Sequence, residues 1–231
     1  MTRMTHMTRM TRITVACLDM AGTTVADDGV VLAAFRDAID DQRLPGEARD
    51  RAMRIALDTM GQSKIVVFRE IFGDQDTAQR VNTAFEEHYA AAVSAGRIEP
   101  LPGAADTLKH LREAGIRVCL STGFSPATRD AIVAALGWRD SVDLLLSPAD
   151  VGRGRPFPDL ALTALLRLGG DAVSELAVAG DTASDIESGL RAGAGLVAGV
   201  LTGTGTRADF EQAGAPLILD TIADLLPYVT G

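Results

Sequence analysis

The chain has 231 residues, of which 47% are hydrophobic and only 4% aromatic, enough for one aliphatic α/β domain with an insertion or for two modest domains. Its formal net charge of −9 argues against a general binder of nucleic acid or of anionic membranes, and no apolar run is long enough to span a bilayer. An anionic small molecule would have to be held by local positive charge: a metal, a few arginines, or backbone N–H groups.

Residues 1–11 repeat a Met-Thr-basic triplet without the apolar stretch of a signal peptide. They read as a disordered tail, such as an upstream start codon would add, in which His6 has no role. Ile13 to Leu18 is short and β-branched, which predicts a buried strand of a parallel sheet ending in Asp19. A turn-prone segment follows, Ala21-Gly22-Thr23-Thr24. A carboxylate at the C-terminal lip of such a strand sits where open α/β sheets bind ligands, although alone it is equally well a turn cap. Val25 to Gly29 could form a small hairpin.

From Val30 to about Arg97 the pattern turns helical, with stretches over Val30–Asp40, Glu47–Met60, Ser63–Phe72 and Thr77–Ser94 punctuated by Pro45-Gly46, Gly61 and Gly73. This predicts a helical cap domain at 30–97 inserted into a core made of 12–29 and 98–231. A strand–helix alternation then begins: helix Ala104–Ala114, strand Ile116–Ser121, helix Pro126–Leu136, strand Val142–Leu146, helix Pro158–Leu168, strand Leu176–Ala179, a helix around Ile186–Ala192, strand Leu196–Leu201, and a last short helix and strand. Such alternation predicts an α/β fold, a doubly wound, Rossmann-like parallel sheet with helices on both faces. Cys17 and Cys119 fall in apolar strand-like runs and read as small buried hydrophobes in a reducing, cytoplasmic compartment.

Four polar clusters fall just past predicted strand ends: Asp19 to Thr23, Ser121-Thr122-Gly123, Gly154-Arg155-Pro156, and Gly180-Asp181-Thr182-Ala183-Ser184-Asp185. In this order they resemble the haloacid dehalogenase superfamily, from about residue 13 onward. The resemblance implies that Asp19 is a nucleophile that becomes an aspartyl phosphate and that Thr122 and Gly123 hold the phosphoryl group. It further implies that Arg155 neutralises charge there, and that Mg²⁺ is held by Asp19, the carbonyl of Ala21 and Asp181, with Asp185 in support. Backbone N–H groups around Met20 and Thr122 could cradle the phosphate.

Most phosphatases of that superfamily carry a second Asp two residues after the nucleophile as general acid/base, a group worth about 10²–10⁴ in rate; this chain has Ala21. Its DMAGTT is similar to the DWAGTT of phosphonoacetaldehyde hydrolases, and Met60-Gly61-Gln62-Ser63-Lys64 resembles the segment bearing their imine-forming lysine. STGF, VGRGRPFPD and GDTASDIESG also resemble segments of those enzymes. The resemblance implies C–P cleavage of phosphonoacetaldehyde or a close relative, with Lys64 as imine former, Met60 as a cap contact, and a homodimer joined through the cap. One compositional fact supports Lys64: of 22 Lys and Arg residues only Lys64 and Lys109 are lysines, and Arg cannot form an imine. Lys109 reads as a solvated helix residue. The chemistry is demanding, since moving a lysine pKa from about 10.4 to near 7 costs about 4–5 kcal/mol. Val67, Phe124 and Gly29 stand where those enzymes have His, Tyr and Cys, which leaves the proton shuttle of imine formation unassigned. Two alternatives remain: a phosphomonoesterase acting on a small phosphate ester, and a non-catalytic phosphate-binding module.

Overall fold

The computed structural model of the chain describes residues 12–26 and 29–230. The expected tail at 1–11 and two residues of the expected hairpin, Asp27 and Asp28, lie outside the described residues. Six parallel strands form one sheet in the order β3-β2-β1-β4-β5-β6: β1 Val15–Asp19, β2 Arg117–Ser121, β3 Leu144–Leu146, β4 Leu176–Gly180, β5 Leu196–Val200 and β6 Leu217–Leu219. Strands β1 and β4 are buried throughout, while the edge strands β3 and β6 have only three residues each and are partly exposed. The near-continuous apolar sequence of β1 thus matches its central place, where helices cover both faces. Its side chains alternate: Ala16 and Leu18 join the large core, and Val15 and Cys17 pack on Leu160, Ala161, Ala164 and Leu165 of α7, Asp159–Arg167.

The chain reverses direction across the sheet between β1 and β4, so the crevice past the ends of these two strands is the switch point where such folds bind ligands. Asp19 ends β1, and Asp181 follows β4 immediately. The helix after β4, α8 (Ala183–Ala192), starts three residues before the expected Ile186. A capping box explains the difference: Thr182 Oγ1 accepts the Asp185 N–H at 3.3 Å, and the Asp185 carboxylate accepts the Thr182 N–H at 3.1 Å. Cys17 and Cys119 are buried, free, and opposite one another on β1 and β2.

Four helices lie between β1 and α5 (Ala104–Glu113): α1 Val30–Asp40, α2 Gly46–Asp58, α3 Lys64–Phe72 and α4 Gln75–Ser94. The segments entering and leaving this insertion run side by side. Ala26 N–H donates to Glu99 O at 2.8 Å and Leu101 N–H to Thr24 O at 3.0 Å. The described part of the expected hairpin therefore pairs with the distant return segment. The α4 helix begins at Asp74, whose carboxylate accepts the Thr77 N–H at 2.8 Å. Aromatic side chains are concentrated at the centre of the insertion. Phe35, Phe68, Phe85 and Tyr89 are all fully buried, and Phe124 from the loop after β2 joins them, 4.6 Å from Tyr89 between centroids. A helical bundle with one borrowed core ring is tied to the sheet by that ring, and truncating so buried a Phe costs about 3–5 kcal/mol. No helix among the described residues is long and apolar enough to cross a membrane.

Candidate active site

Asp19 is 6% exposed, with its carboxylate at the mouth of the sheet. Arg155 reaches it from the loop after β3, Nη1 lying 2.5 Å from Asp19 Oδ1, and the same Nη1 also pairs with Asp185. Its Nε and Nη2 are buried and lack partners among the described residues. Three N–H donors on these two nitrogens therefore remain beside Asp19 for an anion. Burial opposes the charge on Arg155, but Asp185 and Asp19 outweigh it and hold the guanidinium protonated more firmly than usual.

Asp181 sits in a tight cradle. Its Oδ2 accepts the Thr204 N–H at 2.9 Å and its Oδ1 accepts from Thr23 Oγ1 at 3.4 Å. A Cβ placed on Gly22 or Gly203 would collide with its carboxylate, so both glycines are required by close approach, and Gly22 also has φ +80°. Oxygens of Asp19, Asp181 and Asp185 lie within 4.8 Å of one another. Three carboxylates face one guanidinium, an excess of two negative charges when all are ionised. Burial accordingly pushes the Asp19 pKa up from 3.8 to about 6, with Arg155 opposing and Asp185 adding to the rise. Burial also raises Asp181 well above the carboxylate range, reinforced by Asp19 and Asp185. Such a hard-oxygen set fits a divalent cation.

Asp19, Ala21, Met60, Lys64, Thr122, Gly123 and Asp181 line one cavity of about 30 Å³, shared with Val31, Gly61, Phe124, Thr182 and Thr204. Lys64 is the first residue of α3 and is 5% exposed, with its Nζ 5.3 Å from the ring centroids of both Phe35 and Phe124. The loop before it nests against the core. Lys64 N–H donates to Gly123 O at 3.3 Å. A Cβ on Gly61 would strike Thr182 Oγ1, and one on Gly123 would strike the Gln62 carbonyl. All nine residues singled out in the sequence therefore fall in or against this one site.

Of the backbone N–H groups around Thr122, that of Thr122 itself donates to Leu146 O at 3.1 Å. Thr122 lines the cavity, and its hydroxyl accepts the Phe124 N–H at 3.2 Å. The Met20 amide hydrogen-bonds the Asp19 carboxylate. Thr204, Gly203 and Phe35 had no role in the sequence reading. The alternating Gly and Thr of Leu201 to Thr206, just past β5, were the available signal for the first two. Lys109 is exposed and lies 3.8 Å from Glu113, the solvated helix residue its pattern predicts. His88 pairs with Asp41 at 3.0 Å on the surface, away from this site.

Known proteins resemble the chain over most of its length. The chain is 28% identical over 253 residues to the phosphonoacetaldehyde hydrolase of Lysinibacillus sphaericus, covering 92% of each chain. It is 29% identical over 214 residues to a probable phosphatase, IndB, of Dickeya dadantii, covering 90% of each. The crystal structure of a phosphonoacetaldehyde hydrolase-like protein from Oleispira antarctica superposes with a TM-score of 0.79 at 25% identity, covering 94% of this chain and 91% of that one. The model of the haloacid dehalogenase-like hydrolases matches residues 13–193, from the strand that carries Asp19 through the helix that follows Asp181, and the chain belongs to that family.

Proposed function

We propose that the protein cleaves the C–P bond of phosphonoacetaldehyde, or of a phosphonate aldehyde of similar size, to acetaldehyde and phosphate. The observation that carries this reading is the pairing of a buried lysine with a missing carboxylate: Lys64 lines the same small cavity as Asp19, and Ala21 occupies the acid/base position. A carbanion is a poor leaving group that an acid at position 21 could not help. An imine nitrogen two atoms away can take its electron pair instead.

Lys64 Nζ adds to the aldehyde carbon and water leaves, giving a protonated imine. Asp19 attacks phosphorus, the C–P bond breaks, and its electrons form the C=C of an enamine as the nitrogen becomes neutral. Arg155, through its unpaired Nε and Nη2, and the Thr122 hydroxyl would hold the phosphoryl oxygens while charge develops on them. Water then attacks the aspartyl phosphate and releases phosphate. Protonation of the enamine carbon and hydrolysis of the imine free acetaldehyde and Lys64, so the net reaction consumes one water. Mg²⁺ bound by Asp19, Asp181 and the Ala21 carbonyl, with Asp185 in support, would supply Lewis-acid neutralisation of the phosphoryl charge. The walls around Lys64 are Val31, Phe35, Met60 and Phe124, which suit a short apolar carbon fragment.

The test is release of inorganic phosphate from phosphonoacetaldehyde against a panel of small phosphate esters, with Mg²⁺ present. Preference for the phosphonate by about 10²-fold or more in kcat/KM is the expected result. The reverse preference would establish the second reading, a phosphomonoesterase, which the similarity to the Dickeya dadantii phosphatase favours. Failure to turn over any of the panel would point to the phosphate-binding module.

Metal binding carries its own pH signature. A cation must displace the proton that Asp19 retains below about pH 6. Mg²⁺ is therefore expected to bind at least about tenfold more weakly at pH 5 than at pH 8, read as its effect on thermal unfolding, and a chelator should remove activity reversibly. Equal affinity at both pH values would exclude Asp19 as a ligand.

A further inference from the structure

Glu86 lies on α4, outside the catalytic cavity and with no part in the chemistry above. Its carboxylate makes three contacts to the core. Oε2 accepts from Ser125 Oγ at 2.7 Å and from the Thr128 hydroxyl, and Oε1 accepts the Ser125 N–H at 3.3 Å. Ser125 caps the first turn of α6 (Pro126–Ala135), accepting the Thr128 N–H at 3.2 Å. A half-buried acid of the insertion thus grips the start of a core helix.

The segment it grips is the one that meets Lys64. Directly before Ser125, Phe124 stacks on Phe85, with centroids 6.2 Å apart, and packs at a tilt on Tyr89 at 4.6 Å, both residues of α4 near Glu86. Phe124 N–H donates to Thr122 Oγ1, and the Phe124 ring lies 5.3 Å from Lys64 Nζ. Gly123 O accepts the Lys64 N–H. Glu86 also stands in the wall of an outer cleft of about 510 Å³ that reaches Lys64, Gly123, Phe124 and Arg155.

We propose that Glu86 is a positioning residue: by clamping Ser125 and Thr128 to α4 it fixes the Thr122–Phe124 loop, and with it the Thr122 hydroxyl, against Lys64. Ring packing holds Phe124 near α4, and the Glu86 carboxylate adds directional contacts to the residues that follow it. Three hydrogen bonds to one carboxylate define their position. The proposal rests on the reading of Thr122 and Lys64 as working residues.

The experiment compares wild type with Glu86→Ala and Glu86→Gln, the latter keeping shape and one acceptor oxygen. Amide hydrogen exchange, which needs no substrate, is expected to quicken at least about tenfold at Lys64, Phe124 and Thr128 in Glu86→Ala, with β1 and β4 unchanged. On whichever substrate the wild type turns over, kcat should fall about 10- to 100-fold with KM within about threefold, and Glu86→Gln should recover part of it. Unchanged exchange at those amides overturns the proposal, as does a lowered melting temperature with kcat intact. If phosphonoacetaldehyde is not a substrate, the reading of the function fails, while the exchange result still decides the role of Glu86.

Discussion

Lys64→Arg is expected to reduce phosphate release from phosphonoacetaldehyde to background, a loss of about 10³-fold or more, because a guanidinium cannot form the imine of the proposed mechanism. Lys109, the second lysine, is exposed on α5 and outside the cavity. Borohydride added with substrate should trap a covalent adduct on Lys64 in the wild type and none in the variant. Charge is conserved in this substitution, so a lysine that served only as a cation would tolerate it better. The site is tight, however: Lys64 is 5% exposed with an aromatic ring on either side, and a guanidinium is the larger head. Lys64→Met controls for this, since it fits an apolar slot and also removes the nucleophile. Activity surviving in both variants would sink the imine mechanism and leave the phosphomonoesterase, for which Lys64→Arg should be nearly silent.

Asp19→Asn should abolish turnover of every phosphorus substrate, by about 10⁴-fold or more, since the proposed mechanism has Asp19 take the phosphoryl group. The same change is expected to stabilise the metal-free protein at neutral pH. The folded pKa of Asp19 is raised to about 6 from 3.8, chiefly by burial. Below about pH 4 the carboxyl is protonated in both states and costs nothing. Between pH 4 and 6 the unfolded chain ionises first, so wild-type stability declines as pH rises. Above pH 6 the cost is complete, about 3 kcal/mol at 1.36 kcal/mol per pKa unit. An asparagine never pays it. Melting temperatures of the two proteins should therefore diverge between pH 4 and pH 7 in favour of Asp19→Asn, by several degrees at about 2–4 °C per kcal/mol. Saturating Mg²⁺ should reverse the order by stabilising only the protein that keeps the carboxylate. Melting curves that stay parallel with pH would mean that Asp19 is not desolvated.

Local chemistry by itself determined the central strand, the acid at its end and the helical character of residues 30–94, while the resemblance to the family marked Ala21 as the place of a missing acid. Each is written in a short window. An all-apolar run bounded by a turn predicts a doubly covered strand, and apolar residues at helical spacing predict a helix face. The boundaries that moved did so where side chains override periodicity, as at Thr182 and Asp185, whose mutual cap starts α8 early. The tertiary structure alone decided how the acid at the end of that strand is surrounded. Thr204 and Gly203 close around Asp181 because β5 lies beside β4, Arg155 bridges Asp19 and Asp185 across the switch point, and Phe35 reaches Lys64 from another helix. None of these pairs is close in sequence, and hydrophobic period carries no information about which distant loops a strand order will bring together. The chain alone names Asp19 as a carboxylate at a strand end. Only the fold, by burying it beside two more carboxylates and one guanidinium, makes it a charge-loaded site with a pKa near 6 and a lysine across the cavity.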